Sequence, residues 1–383
     1  MIINNSSKIE LDKKAIKNNV EFLRDHIGKG VKLSAVVKAN AYGHGIREMV
    51  PELENNDVRH FSVFSSFEAR ETLKACNKGS TIMIMGDISK DDISWIVSNE
   101  IECFVYNFHN LNLLLNEAKQ QKIKVCLHLE LETGMNRHGF RPNEWEDLAK
   151  QVLESREYIA LQGICTHFAG AESSANYKRI LDQQKNFMQA LSFFRERDLV
   201  PNNVHTSCSA ATVAYPGFNH DLVRVGIMIY GLWPSTETQL TYKLKNEVEV
   251  SPLKPVLSWK SHIIDISHVS SGDFIGYGNS FLAETDMKVA SVPVGYGYGF
   301  NRSLSNTGRV IVNGSRLSVI GTVNMNMFLV DATNVDIKIG DEVTIIGKNG
   351  NQEIKVAHFG NLSDQLNYEL LTRIDKDIKR VLV

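Results

Sequence analysis

What this chain lacks narrows its chemistry before any single residue is considered. No apolar run approaches the roughly 20 residues that a bilayer-crossing helix needs, and the start, MIINNSSKIELDKK, has no basic segment leading into an apolar one, which argues against a secretory signal. A charge excess is also missing. The formal net charge is −2 and the pI about 6.6, which argues against a nucleic-acid or membrane-surface role driven by electrostatics. The five cysteines (Cys76, Cys103, Cys126, Cys165, Cys208) are odd in number, far apart and without a CxxC pair. They form neither a disulfide framework nor a zinc site, and they read as reduced thiols of a cytosolic protein. No GxGxxG and no GxxxxGK[ST] occurs, so neither a dinucleotide fingerprint nor a P-loop is present. There is no internal repeat and no low-complexity linker.

What is present describes an ordinary globular chain: 43% hydrophobic and 22% charged residues over 383 positions, enough for two domains with full cores. One stretch stands out, Lys32–Gly45, KLSAVVKANAYGHG. It opens as a short, β-branched apolar run, which suits a buried strand. It then places Lys38 at the run's C-terminal edge, ahead of a polar, turn-forming set that includes Asn40, Tyr42 and His44. Desolvation at a strand mouth disfavours the ammonium form, which suits an imine-forming lysine.

The chain then alternates. Strands are expected at Val31–Lys38, His60–Ser65, Thr81–Met85, Cys103–Tyr106, Lys124–Leu131, Leu161–His167, Asn203–Ser207 and Leu222–Val225. Helices are expected within Ile9–His26 and at Ser66–Ala75, Lys90–Ser98, Phe108–Gln121, Pro142–Ser155 and Asn176–Arg197. Eight short strands separated by helices predict an α/β fold, a (β/α)8 TIM-type barrel; an open doubly wound sheet would need no eighth strand. After Pro234 the pattern becomes strand after strand, beginning with Leu257–His268 and with Asn313-Gly314 as a hairpin signal. A mainly β C-terminal domain is therefore expected, ending in a helical stretch around Ser363–Ile374. The expected domains are 1–240, whose first few residues could pack with the second domain, and 241–383, the two meeting along Leu232–Asn246.

In such a barrel, function gathers at the C-terminal strand ends. The polar residues there are Lys38 and Tyr42 after the first strand, Arg137 past the fifth, His167 on the sixth, Ser209 past the seventh and Arg224 on the eighth. Ser209 with the amides of Gly226 and Ile227 would make a phosphate cup. An imine-forming lysine beside a phosphate cup without a P-loop points to pyridoxal 5′-phosphate. Arg224 would face the pyridine nitrogen, and because a guanidinium only donates, that nitrogen would stay unprotonated.

AVVKANAYGHG, ETGMNRHGF, GICTHFA, VRVGIMIYGLWPS, IGYGNSF, SVPVGYGYGFNR, GTVNMNMFLVDAT and NYELLTRI follow one another in an order that resembles the alanine racemases along the whole chain. The resemblance implies a barrel plus a β-domain in a homodimer whose partner subunit completes each active site. By it, Lys38 would be the Schiff-base lysine and one acid/base group, and Tyr277 of the partner subunit the second. Arg137 would bond the cofactor's phenolic oxygen, and His167, linked to Arg224, would pack on the ring and support Tyr277. Tyr42, Ser209, Gly226, Ile227 and Tyr368 would hold the phosphate, and Tyr296 and Met325 would seat the substrate carboxylate or narrow the entrance. The activity implied is interconversion of L- and D-alanine, in the cytoplasm, to supply D-alanine for peptidoglycan.

The sequence departs from the family pattern at four positions. Glu130 stands where many members carry a carbamylated lysine, and it would orient Arg137 with an unmodified charge. Cys208, Tyr298 and Asn326 stand where the family has an asparagine and two aspartates, which leaves serine or a larger amino acid open as a substrate. A barrel-type decarboxylase would need a cysteine in the β-domain, and the last one here is Cys208. A non-catalytic cofactor-binding protein would resemble the barrel alone.

Overall fold

The computed structural model describes residues 6–363 and 367–383, and the chain divides into two compact units. One comprises Lys14–Ala41 and Met49–Pro255, the other the described part of Met1–Lys13, Tyr42–Glu48 and Val256–Val383. Strand β1 (Ser7–Leu11) belongs to the second unit. The first holds β2 (Lys32–Val36), β3 (His60–Val63), β4 (Thr81–Ile84), β5 (Glu102–Val105), β6 (Val125–Glu130), β7 (Ile159–Cys165), β8 (Asn203–His205) and β9 (Leu222–Val225).

These eight strands are parallel, in the order β8-β7-β6-β5-β4-β3-β2-β9. The Asp221 amide donates to the Val204 carbonyl and the Arg224 amide to that of Ser207, each at 3.0 Å, which brings β9 beside β8 and nearly closes the sheet into a barrel. Between strands run helices that cover it. Phe108–Gln121 shows why: it buries Leu111, Leu114, Leu115 and Ala118, an i, i+3, i+4, i+7 stripe. Asn107 caps it by accepting from the Asn110 amide at 2.8 Å.

The second unit is one sheet of ten strands, with β10 (Leu257–His262), β11 (Asp265–Val269), β12 (Met287–Val292), β13 (Arg309–Val312), β14 (Ser315–Ile320), β15 (Phe328–Asp331), β16 (Glu342–Asn349), β17 (Gln352–Ile354) and β18 (Lys379–Leu382). Its order is β11-β12-β15-β14-β13-β16-β10-β1-β18, with β17 on β16. The Asn313-Gly314 hairpin forms as expected, with φ of 48° and 75° and Val312 opposite Ser315.

Four expectations are corrected. Ile9–Leu11 is not helical: it lies in β1, antiparallel to β10 and parallel to β18, and the helix starts at Lys13. Leu257–His268 is two strands, because the Ile263 amide bonds Asp341 and the next amide, Ile264, bonds Ser291, each at 3.0 Å. Thr236–Asn246 is a helix of the barrel unit, capped by Ser235, and the chain crosses to the second unit only at Pro255–Val256, beyond the expected 240. The C-terminal helical stretch is Val356–Ser363 and Asn367–Arg373; residues 364–366 lie outside the described residues.

Candidate active site

Past β2, the Val37 amide bonds the Ser62 carbonyl at 2.8 Å and Lys38 opens a left-handed turn. Ala39, Asn40, Ala41 and Tyr42 have φ between 51° and 54°. Left-handed helical backbone costs roughly 1–2 kcal/mol per non-glycine residue, so the surroundings must impose it. The Glu68 carboxylate does so: it accepts from the Ala39 amide at 2.6 Å and from the Phe64 amide at 2.8 Å. Glu68 gave no signal in the sequence.

Lys38 is thereby fixed at the strand mouth. Burial pulls its pKa below the ordinary lysine value and the Arg137 charge pushes the same way, against Glu68 and Cys208. No ion pair holds its ammonium among the described residues. A lysine in this state can work as a free amine.

The far ends of the last strands make a second cluster in the same unit. The Ser209 hydroxyl accepts from the Gly226 amide at 2.9 Å, so the two intended members of the cup touch. Cys208, just before, packs against the apolar cluster of Phe168, Ala171, Ile180, Ala210 and Ala211. Arg224 is buried, and its four Nη hydrogens are spent. Nη1 donates to His205 Nδ1 and, at 3.2 Å, to the His205 carbonyl; Nη2 donates to the carbonyls of Thr166 at 2.8 Å and Thr206 at 3.2 Å. Only Nε–H is left without a partner among the described residues. Arg224 thus bonds His205 rather than His167, correcting the expected link between them.

His167 lies in the field of the same group. Burial, then the charges of Arg224, Arg137, Lys38 and His138, hold its pKa down to about 3, so it is neutral at working pH. Arg137 follows β6 on a loop that Glu132 organises by accepting from the amides of Gly134, Asn136 and Arg137 at 2.5, 2.7 and 3.3 Å. Its Nη2 lies 3.9 Å from Glu130 Oε1, and its Nε donates to His138 Nε2 at 3.0 Å. The other Glu130 oxygen lies 2.8 Å from His138 Nδ1. Glu130, buried at 3% exposure, therefore meets both Arg137 and His138, and the second partner was not anticipated.

In the second unit, Tyr42 and Tyr368 bring their ring centroids to 6.0 Å. The loop after Tyr42 is locked from below. A Cβ on Gly43 (φ +77°) would fall 2.0 Å from the Leu371 carbonyl oxygen, and the Arg380 guanidinium donates to the Gly43 carbonyl at 2.9 and 3.2 Å. Tyr277 sits on a one-turn 3-10 helix, 72% exposed, its carbonyl accepting from Thr322 Oγ1 at 3.1 Å. Tyr296 and Met325 are also exposed, at 44% and 56%. The Tyr296 amide bonds the Asn324 carbonyl at 3.0 Å and the Gly297 amide bonds that of Met325 at 2.9 Å, so these two segments form one surface with Tyr298 and Asn326, which touch at 3.4 Å.

These residues suit pyridoxal phosphate. A half-buried lysine without an ion pair among the described residues, a cup of hydroxyl and amide, and an arginine with one N–H unspent are the donor set an aldehyde, a phosphate and a pyridine nitrogen require. Among the described residues no group of His, Cys, Asp or Glu could hold a metal, and no helix is long and apolar enough to cross a membrane.

Comparison with known proteins covers both units. The family described as alanine racemase, N-terminal domain, matches residues 11–234, and its C-terminal domain matches 256–382. An alanine racemase of Leptospira interrogans serovar Lai is 35% identical over 391 aligned positions, covering 99% of this chain and 96% of that protein. The crystal structure of alanine racemase from a D-cycloserine-producing Streptomyces lavendulae superposes with a TM-score of 0.90 at 26% identity, covering 98% of this chain and 97% of the other. That of alanine racemase from Bartonella henselae, with covalently bound pyridoxal phosphate, gives 0.83 at 26% identity, covering 98% and 99%.

Proposed function

This chain belongs to the alanine racemase family, and from that premise we propose how its residues divide the work of the reaction. It is an alanine racemase that uses pyridoxal phosphate to interconvert L- and D-alanine, the D-alanine serving cell-wall synthesis. When bound, the cofactor offers an aldehyde to the amino group and a ring that accepts the charge left when the Cα proton departs. Lys38 anchors it and moves a proton at Nζ on one face of Cα. Tyr277 of the partner subunit moves a proton at its phenolic oxygen on the other face, so the substrate need not turn over. Each such positioned group typically contributes 10²- to 10⁴-fold.

Arg224 offers Nε–H to the ring nitrogen and cannot give up its proton, which keeps that nitrogen unprotonated. Ser209, Gly226 and Ile227 hold the phosphate. Arg137 bonds the phenolic oxygen, and Glu130 orients Arg137 with the charge a carbamate supplies elsewhere. His167, neutral, packs beside the ring and supports Tyr277. The Met325 amide and Tyr296 receive the substrate carboxylate.

The exposure of Tyr277, Tyr296 and Met325 supports a homodimer with shared sites. The five free thiols support a cytoplasmic home.

The observation that carries the reading is that one barrel unit holds a half-buried Lys38 whose ammonium no ion pair engages and an Arg224 whose one unspent donor is Nε–H, both among the described residues. The test is L-alanine in D₂O followed by proton NMR. Loss of the Cα proton with D-alanine appearing is expected. Release of ethylamine and CO₂ would make the protein a decarboxylase, and no exchange would make it a binder.

A further inference from the structure

Barrel interiors are ordinarily filled by layers of branched apolar side chains. This one carries a continuous polar line of which the mechanism above uses only the last member. Glu102 begins β5, and its Oε2 lies 2.8 Å from His128 Nε2 and 3.0 Å from His60 Nε2. His128 Nδ1 lies 2.8 Å from His205 Nε2, and His205 Nδ1 meets Arg224 Nη1. On the other side, His60 Nδ1 lies 2.8 Å from Ser34 Oγ, which lies 2.5 Å from Ser62 Oγ. All seven side chains are buried.

Arg224 and Glu102 decide the direction of every bond between them. A guanidinium can only donate and a carboxylate can only accept. Arg224 therefore donates to His205 Nδ1, which leaves His205 its hydrogen on Nε2. That hydrogen goes to His128 Nδ1, and His128 in turn donates from Nε2 to Glu102. From the opposite side His60 donates from Nε2 to the same carboxylate oxygen, while its Nδ1 meets Ser34 Oγ. Between Arg224 and Glu102 each hydrogen points toward Glu102.

Two further features show that the line is built into the fold. Gly163 on β7 stands opposite His128 in register, and a Cβ there would lie 2.0 Å from His128 Nδ1 and 2.9 Å from His205 Nε2. Only glycine lets the two rings meet across that strand. Phe104 roofs the line, its ring centroid 5.8 Å from that of His128, 5.7 Å from that of His205 and 5.7 Å from Arg224 Cζ. No carboxylate pairs directly with Arg224 among the described residues, and a buried charge without compensation is costly. Burial and the Arg224 charge keep His128 and His205 neutral, so the stretch from Arg224 to Glu102 carries only the charges of its two ends.

We propose that Glu102 is a positioning residue for racemisation: through His128 and His205 it fixes their tautomers, supplies the counter-charge for Arg224 and holds that guanidinium so that Nε–H alone faces the cofactor ring. The proposal rests on the reading that Arg224 serves the ring nitrogen. Glu102 touches neither substrate nor cofactor.

Histidine-selective ¹⁵N spectra of the wild-type holoenzyme test the line itself. His128 and His205 are expected as neutral Nε2–H tautomers at neutral pH. An imidazolium or an Nδ1–H tautomer at His128 or His205 overturns the proposal. Glu102→Gln keeps the shape and removes the charge. It is expected to lower kcat about 10- to 100-fold in both directions, the range for outer partners that orient a site's direct ligands, with KM for alanine little changed and the absorption band of the bound cofactor displaced. Gly163→Ala should reproduce the displaced band.

Arg224→Lys separates the two readings. If it leaves the cofactor's absorption untouched, the ring-nitrogen assignment fails, and this proposal with it. If it displaces the band while Glu102→Gln leaves both band and kcat at wild-type values, the positioning role alone fails. Should either barrel variant not fold, the wild-type histidine spectra decide.

Discussion

At the scale of single residues, the site divides into groups that meet the chemistry and groups that hold them. Lys38, Arg224 and Ser209 were legible because strand ends in a barrel are where chemistry gathers, and three unusual residues on successive ends read together. Glu68, Glu132 and Glu102 were not. Each is a lone carboxylate whose target is a backbone amide or a histidine ring, and nothing in the spacing of the sequence announces such a bond. His138 was passed over for the same reason, although it lies closer to Glu130 than Arg137 does, 2.8 against 3.9 Å. The proposed role of Glu130 follows from this geometry: an unmodified carboxylate that lies close to the nitrogens of both Arg137 and His138. Glu130→Gln is expected to cost about tenfold in kcat, as loss of an outer orienting partner does, and to weaken cofactor retention on dialysis. Unchanged values for both would show that the carboxylate is idle.

At the scale of elements, the left-handed turn after Lys38 is the feature on which the site depends. It turns the chain out of the barrel unit at Ala41 and into the second unit from Tyr42 to Glu48. Gly43 fixes its exit. Gly43→Ala would combine left-handed strain with a Cβ driven into the Leu371 carbonyl, and is expected to destabilise by about 2–4 kcal/mol. Gly314→Ala, at φ +75° with open space around it, carries only the strain, about 1–2 kcal/mol. Urea denaturation of both variants checks the difference; equal losses would mean that the close approach at Gly43 is relieved by movement.

Element boundaries also show where sequence reading stops. In Ile9–Leu11, alternation runs directly into the helical stripe of Ile16, Val20 and Leu23, so strand and helix merge into one apparent period. The helix Thr236–Asn246 buries only Thr238 and so presents no apolar stripe to read. The hairpin at Asn313-Gly314, by contrast, is set by local turn chemistry and needs no distant partner.

At the scale of the whole molecule, the polar interior of the barrel has a consequence for stability. His128 and His205 are buried and His167 half-buried, and all three have pKa values lowered chiefly by desolvation, His167 to about 3. In the unfolded chain each titrates near 6.5. Below that pH the unfolded state binds protons that the folded state refuses, so the stability these groups confer is present above about 6.5 and lost as pH falls toward their folded values. Three such groups give a slope approaching about 4 kcal/mol per pH unit. Glu102, held below the usual carboxylate range by His128 and His60 despite its burial, adds its share only below about pH 4.5. The urea midpoint is expected to fall steeply between pH 7 and pH 5; a flat midpoint over that range would mean that these histidines are not neutral in the fold.

The central claim is that one active site joins Lys38 of one subunit to Tyr277 of the partner subunit. Subunit complementation tests it most directly. Lys38→Ala and Tyr277→Phe, each expected to be nearly inactive alone, are unfolded together and refolded as an equimolar mixture with pyridoxal phosphate. Half of the randomly paired dimers are mixed, and each of these carries one intact site of two. The account predicts recovery of about one quarter of wild-type racemase activity on this count. Activity no greater than the sum of the separate variants would contradict it, placing both residues in a site built from a single chain.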